Sequence, residues 1–332
     1  MGEYSLALDS RDDEANVNFV SHAHSDHTAG LRKNKKALAS EITKDLIESR
    51  SSISLELVDE PDCVELLNAG HILGSKQLYI KNDLRGYSLI YSGDYQTSEP
   101  IIAEKIQYKQ ADVLIVDSTY PNPEIKFEDR QEVITAIQHY TKTKMEKGHV
   151  FFGSYALGRA QELVKILNDA GISPFVDQKI SKMNKVYEKY GMHLDYSDLD
   201  LSEKALGKNV VGIVEQSRFN SVAEEASAKS GRRVFTAVAS GWAQVFKFDT
   251  DVQFALSDHA DFSQAMEYIN ASGAKIVFTF GSNAKIFAQN LARRGYDARP
   301  IFNTSDLNAL MLNYKMASEK THDFNHGTKA SR

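Results

Sequence analysis

The chain has 332 residues and a mass of 37.1 kDa, with 45 acidic against 39 basic side chains and a formal net charge of −6. That length allows about two domains, or one large domain carrying an insertion. A hydrophobic fraction of 42% excludes a disordered chain, and no apolar run approaches the ~18–20 residues of a membrane helix. The start, MGEYSLALDSRDDE, is too acidic for a secretory signal and has Leu6 where a myristoylation site needs Ser or Thr. A lone Cys63 excludes an internal disulfide and fits a reducing, cytoplasmic compartment. The mild acidity argues against coating nucleic acid through bulk charge, yet leaves a local basic groove open.

In chain order, Val17–Val20, Leu55–Val58, Val64–Asn68, Gln77–Ile80 and Tyr87–Tyr91 read as strands, with a helix over Ser40–Arg50. Val113–Asp117 reads as a buried strand ending in a carboxylate. From about Glu128 helices and strands alternate. Helices are expected over Glu128–Lys147, Leu157–Ala170, Lys179–Tyr190 and Val222–Lys229. Strands are expected between them at His149–Ser154, Pro174–Asp177, Val210–Glu215 and Val234–Ala239. Ala255–Ser257, Phe262–Ala271, Lys275–Phe280 and Ala284–Arg294 repeat the strand–helix unit. The end, Ser318–Arg332, is polar and aperiodic and reads as a frayed tail, with His322 and His326 solvated.

Ser21-His22-Ala23-His24-Ser25-Asp26-His27 is the most informative stretch. It follows an apolar strand, where loops carry function. Three imidazoles and a carboxylate packed this closely are costly to place in a core without a partner, and they are the ligand types zinc prefers. The plain alternative is a hydrated His-rich loop; four fixed positions in a fitting context weigh against it.

This H-x-H-x-D-H segment resembles the metallo-β-lactamase superfamily. The later motifs of that superfamily follow in order, as His71 in Gly70–Ser75 and Asp94 in Tyr91–Tyr95. Asp117-Ser118-Thr119-Tyr120, Gly153–Gly158 and Ser257-Asp258-His259-Ala260-Asp261 resemble the β-CASP nuclease branch. That branch holds RNA 3′-end cleavage factors, Artemis-type crosslink-repair nucleases and small ligase-associated DNA exonucleases. The resemblance covers roughly residues 5 to 302, although residues 172 to 232 match only in layout. In two of those groups the strand after SDHAD ends in a His that completes the second metal site. Here Phe280 stands in its place and cannot ligate. Artemis-type nucleases also lack that His and remain active.

The resemblance implies a four-layer αβ/βα metallo-β-lactamase fold with an inserted compact β-CASP α/β domain. The first part would cover residues 1–124, the insertion 125–238, the second part 239–317 and a flexible tail 318–332. It implies one ion held by His22, His24, His71 and Asp94, and a weaker second one held by Asp26, His27 and Asp94. Zinc is the expected metal, with Mn2+ or Mg2+ as alternatives. Asp26 would orient or deprotonate the attacking water, and His259, kept protonated by Asp117, would protonate the leaving oxygen. Ser154 and Arg159, at a strand-to-helix turn, would receive a phosphate; an ordinary turn is the rival reading. The basic runs Leu31–Lys36 and Arg232-Arg233 would track a nucleic-acid backbone or simply be solvated. Tyr95, Tyr120 and Trp242 would stack on bases or simply lie in the core. The expected activity is metal-dependent hydrolysis of nucleic acid, as an exonuclease of 5′-to-3′ polarity on single-stranded DNA in repair, with no membrane partner. The rivals are an RNA-processing nuclease, a non-catalytic metal-binding subunit and a small-molecule metallo-hydrolase.

Overall fold

A computed structural model describes residues 5–10, 15–32, 35–81 and 86–302. The chain begins with β1 (Leu6–Leu8), β2 (Val17–Phe19), β3 (Lys36–Leu38), α1 (Glu41–Arg50) and β4 (Glu56–Leu57). Next come β5 (Val64–Asn68), β6 (Lys76–Ile80), β7 (Leu89–Tyr91) and β8 (Val113–Asp117). Then helices and strands alternate through α2 (Arg130–Met145), β9 (His149–Ser154), α3 (Arg159–Asp169), β10 (Phe175–Val176), α4 (Gln178–Lys189) and β11 (Ser197–Asp198). β12 (Val211–Glu215), α5 (Phe219–Ser230), β13 (Val234–Ala239) and β14 (Val252–Phe254) continue the pattern. The described chain closes with α6 (Phe262–Ser272), β15 (Ile276–Phe280), α7 (Ala284–Ala292) and β16 (Asp297–Pro300).

Among the described residues these strands form three sheets. The first is parallel, in the order β1-β2-β3-β4. The second has the order β16-β15-β8-β7-β6-β5, parallel from β16 to β7 and antiparallel beyond. The third, β11-β10-β12-β9-β13-β14, is parallel throughout.

β8 shows why the second sheet needs cover on both faces: all five residues of VLIVD are buried, the continuous pattern of a parallel strand. Leu114 and Val116 pack with Ala265, Tyr268 and Ile269 of α6 and Phe287 and Leu291 of α7. Val113 and Ile115 pack instead with Val17, Phe19 and Leu38 of the first sheet. In the third sheet β9 is likewise buried along its whole length, and its Val150 and Phe152 share a core with Leu163, Val164 and Leu167 of α3.

Two sequence expectations shift. The strand placed at Ala255–Ser257 lies earlier, at β14, and the following residues turn into the SDHAD segment. The third sheet runs to Phe254, past residue 238, because β13 pairs with both β9 and β14. The tail from residue 318, part of the Leu31–Lys36 run, and residues 303–317 lie outside the described residues. No helix among the described residues is long and apolar enough to cross a membrane.

Candidate metal centre

The functional motifs leave the C-terminal ends of strands from all three sheets. His22 follows β2, Asp94 follows β7, Asp117 ends β8, and the Tyr155–Leu157 turn follows β9. Ser240–Trp242 follows β13 and the SDHAD segment follows β14. Strand C-termini are where open α/β sheets place ligands. Residues from these ends line one cleft of about 1520 Å³. That exceeds the roughly 300–1,000 Å³ of a small-molecule pocket.

His24 and Asp94, which line it, and His22 and His71, buried beside them, each present a ligand atom, all within 4.8 Å of one another. His24 Nδ1 lies 2.9 Å from His22 Nε2 and 3.1 Å from His71 Nε2. Asp94 Oδ2 lies 3.6 Å from His22 Nε2 and 3.8 Å from His71 Nε2. The opposite nitrogens are held from behind, which sets tautomer and ring orientation. His24 Nε2 donates to the Leu157 carbonyl at 3.2 Å, and His71 Nδ1 donates to the Asp258 carbonyl at 2.8 Å. His22 Nδ1 meets the Ser21 hydroxyl at 2.9 Å. Gly158 lets the α3 turn come this close: at φ +84° its missing Cβ would stand 2.6 Å from Ile72 and 3.5 Å from His24 Nε2.

The electrostatics match the geometry. Burial, reinforced by neighbouring imidazoles, holds His22 well below its ordinary pKa. Burial also lowers His24, and burial with the charge of His259 pushes His71 down to about 3. These three nitrogens are therefore neutral and ready to coordinate at neutral pH. Burial would raise Asp94, but the charges of His27 and His259 hold it well below the carboxylate range. Three neutral imidazoles and an ionised carboxylate are a fitting donor set for a divalent zinc-type ion.

Asp26 and His27 sit beside this group, on a 3-10 helix running from Ser25 to Arg32. His27 Nε2 lies 3.2 Å from Asp94 Oδ2 and 3.6 Å from Asp26 Oδ2, while the Asp26 side chain is 77% exposed. His27 Nδ1 donates to Asp9 Oδ2 at 2.8 Å. Asp9 also accepts from the Ser21 N–H at 2.7 Å and from the Tyr91 hydroxyl at 3.0 Å. Burial opposes a charge on His27, but Asp94 and Asp9 together raise its pKa well above the ordinary value.

His259 faces the same carboxylate from the other side, its Nε2 3.8 Å from Asp94 Oδ2. Its Nδ1 donates to Asp117 Oδ2 at 2.9 Å. Burial disfavours its charge, yet Asp94 and the Asp117 hydrogen bond push its pKa up to about 9. His259 also belongs, with Asp94 and Asp117 and with His71 and Asp258, to groups whose donor atoms lie close enough to hold a metal ion.

The phosphate role expected for Ser154 and Arg159 meets a different geometry. Ser154 is buried and its hydroxyl donates to the Tyr155 carbonyl at 3.1 Å. Arg159 is buried, with Nη2 3.2 Å from Asp258 Oδ1 and Nη1 on Glu162. Glu162 is shared with Arg130, whose Nη1 donates to the Ser257 carbonyl at 2.5 Å. The Arg159 guanidinium, which lines the cleft, is flanked by two carboxylates and ties α3 to the loop carrying His259. Arg232 and Arg233 are also engaged, Arg232 with Asn209 and the Gly207 carbonyl and Arg233 with Asp251. Tyr95 is fully buried and is a core residue, whereas Tyr120 and Trp242 line the cleft.

Sequence reasoning missed Asp9, Arg130 and Glu162. Asp9 had one signal, a carboxylate ending an apolar triplet beside the strand that carries the motif.

No protein-family model matches the chain. It is 30% identical over 298 residues to a probable DNA ligase of Opitutus terrae, covering 84% of this chain and 28% of that protein. It is 30% identical over 182 residues to an RNase J-like protein of Methanocaldococcus jannaschii, 46% of this chain and 43% of that one. It is 26% identical over 189 residues to the DNA cross-link repair 1A protein of Mus musculus, 52% of this chain and 17% of that one. The chain thus spans less than half the length of each of these relatives. These relatives, together with the metal-ligand and SDHAD motifs brought into one cleft, establish that the chain belongs to the β-CASP branch of the metallo-β-lactamase superfamily.

Proposed function

We propose that the chain is a metal-dependent nuclease that hydrolyses phosphodiester bonds, acting as a 5′-to-3′ exonuclease on DNA. One observation carries the reading: a set of neutral nitrogen and carboxylate donors faces a protonated histidine across a cleft too large for a small metabolite. His22, His24, His71 and Asp94 would hold a tight zinc ion, with Asp26, His27 and Asp94 offering a weaker second position. A metal there supplies a Lewis acid that makes water nucleophilic near neutral pH and offsets charge on the phosphate oxygens.

The remaining work falls to side chains of this chain. Asp26, exposed at the rim, accepts the proton of the attacking water and aims it at phosphorus. His259 gives its Nε2 proton to the leaving oxygen, and Asp117 holds the imidazole in the donating tautomer. Asp9 fixes the ring of His27 and so the place of Asp26 beside it. In this reading the β9–β14 sheet with α2–α5 is the inserted β-CASP unit, ending near Phe254. The rest forms four layers: α6 and α7, the two remaining sheets, and α1.

DNA is favoured because a relative aligned over most of the chain is a probable DNA ligase, beside a DNA cross-link repair protein. RNA is the second reading, motivated by the RNase J-like relative. The test is end-labelled single-stranded DNA and RNA of one sequence, with and without a 5′-phosphate, in chelator and in added zinc or manganese. We expect metal-dependent shortening of DNA from the 5′ end. Faster loss of RNA would select the second reading, and no cleavage of either strand with any metal would overturn the proposal.

A further inference from the structure

We infer that the rings of Trp242 and Phe246, backed by the buried Tyr120, form a ledge at the edge of the cleft on which unpaired nucleobases stack, so that single-stranded ends are selected over duplex. The inference rests on the nuclease reading and adds to it a subsite and a strand preference.

The ledge starts at the proposed proton donor. The Tyr120 ring lies 5.7 Å from that of His259, the Trp242 ring 4.8 Å from Tyr120, and the Phe246 ring 5.5 Å from Trp242 at 36°. The series thus leads from His259, through the buried Tyr120, outward to the exposed Phe246. Its inner end is closely fitted: a Cβ on Gly241 would stand 2.7 Å from Tyr120 Cζ, so only glycine lets the Ser240–Trp242 turn approach that ring. Its outer end is fixed as well. Gln253 Nε2 donates to the carbonyls of Ala243 at 2.7 Å and Phe246 at 2.9 Å, and its Oε1 accepts from the Phe248 N–H at 2.9 Å.

A loop so anchored still leaves Phe246 57% and its neighbour Val245 44% exposed. Tyr155, 65% exposed, lines the cleft together with Trp242. Fixed aromatic faces turned to water favour a flat apolar partner, and every nucleobase offers one. Exposed Lys247 beside Phe246, and Lys182 in the cleft wall, add the charge a phosphate backbone requires. In a duplex each base face is already covered by its neighbours and the edges are paired, so only unpaired bases reach the rings.

Trp242 is the one tryptophan in the chain, so its fluorescence reports directly on the ledge. The probe is a phosphorothioate-linked oligothymidylate, which resists hydrolysis, titrated into the full-length metal-loaded protein. Anisotropy of a labelled copy is followed in parallel. We expect tryptophan quenching that follows the binding isotherm, weaker binding of a blunt duplex, and little quenching by an abasic chain of equal length. Phe246→Ala, at an exposed position, should weaken the oligothymidylate about fivefold or more while leaving the abasic chain unchanged. Binding without quenching, or equal weakening of the abasic chain, would overturn the ledge. A dimer that Phe246→Ala dissociates, with strand binding intact, would instead assign the rings to contact between copies. Metal-dependent turnover of bis(p-nitrophenyl) phosphate without any strand binding would remove the ledge and leave the metal centre standing. Loss of both would remove the nuclease reading itself.

Discussion

Phe280 stacks on Tyr91, with ring centroids 5.3 Å apart and planes 21° from parallel. Tyr91 in turn donates its hydroxyl to Asp9, and Asp9 accepts from His27. The residue expected from the sequence to stand in place of a ligand histidine is therefore an apolar wall behind Asp9 and His27, the proposed second metal position. It contributes packing and no donor.

The expected consequence is unequal metal binding. Protein dialysed against chelator should retain closer to one ion than two by elemental analysis, and activity should rise with added divalent metal. Two ions surviving that dialysis would contradict the assignment. Phe280→His should strengthen the second position, at the cost of the ring contact with Tyr91.

Proton linkage separates the two positions further. His22, His24 and His71 are held neutral by burial, so filling the first site displaces no proton from them between about pH 6.5 and 8. Because its pKa is raised, His27 must lose a proton before it coordinates. The sign follows: tight-site affinity should be nearly flat with pH, while the weaker affinity climbs by up to about tenfold per unit as pH rises. Metal titrations at several pH values would check both slopes, and a flat weak site would count against a charged His27.

Asp26 offers the cleanest separation of chemistry from folding. Its side chain is 77% exposed, so Asp26→Ala should change stability by no more than about 0.5 kcal/mol. Cleavage should nevertheless collapse, as it should in Asp94→Asn and His22→Ala. Near wild-type turnover by Asp26→Ala in metal-defined buffer would remove it from the mechanism.

Asp9→Asn tests the residue sequence reasoning overlooked. The amide retains the volume but weakens the acceptor for His27, and such changes behind a ligand typically cost about 10–100-fold in metal affinity or activity. Circular dichroism and metal-dependent rates measured together would tell orientation from unfolding.

The contrast between Asp9 and His22–His27 shows what the sequence carried. The histidine motif was readable because its ligand types are adjacent in the chain and follow an apolar strand. His71, Asp94 and His259 were reachable because each sits in a local motif whose order could be checked. Asp9 meets His27 only through the parallel pairing of β1 with β2. Arg130 meets Glu162 across 32 residues and Ser257 across 127, so no local pattern marks them. β16 was missed as a charged edge segment, and β3 because only three residues, Lys36–Leu38, form it and its strand character comes from pairing with β2 and β4. β14 was placed three residues late because Ala255–Ser257 is as apolar as the true strand.

Arg159 is where the two levels disagree, and the disagreement can be measured. At the first residue of α3 a cation faces the positive end of the helix dipole, which is unfavourable unless an anion compensates it. The compensation is internal: Glu162 one turn on, and Asp258 from the loop that carries His259. Glu162 also holds Arg130, so two buried charges, the half-buried Arg130 and Asp258 tie α2 and α3 to that loop. Removing one partner from such a set leaves an uncompensated buried charge and costs about 3–5 kcal/mol. Arg159→Ala should therefore lower the unfolding midpoint and reduce kcat by loosening His259, while the salt dependence of strand binding stays as in the wild type. Glu162→Gln should destabilise similarly, since it leaves two guanidinium groups facing a neutral amide. A phosphate contact predicts the opposite pattern for Arg159→Ala, a stable fold whose binding loses about one phosphate from the salt slope. Chemical denaturation beside binding isotherms at a series of salt concentrations distinguishes the two, and a reduced slope in a fully stable variant would return Arg159 to the substrate.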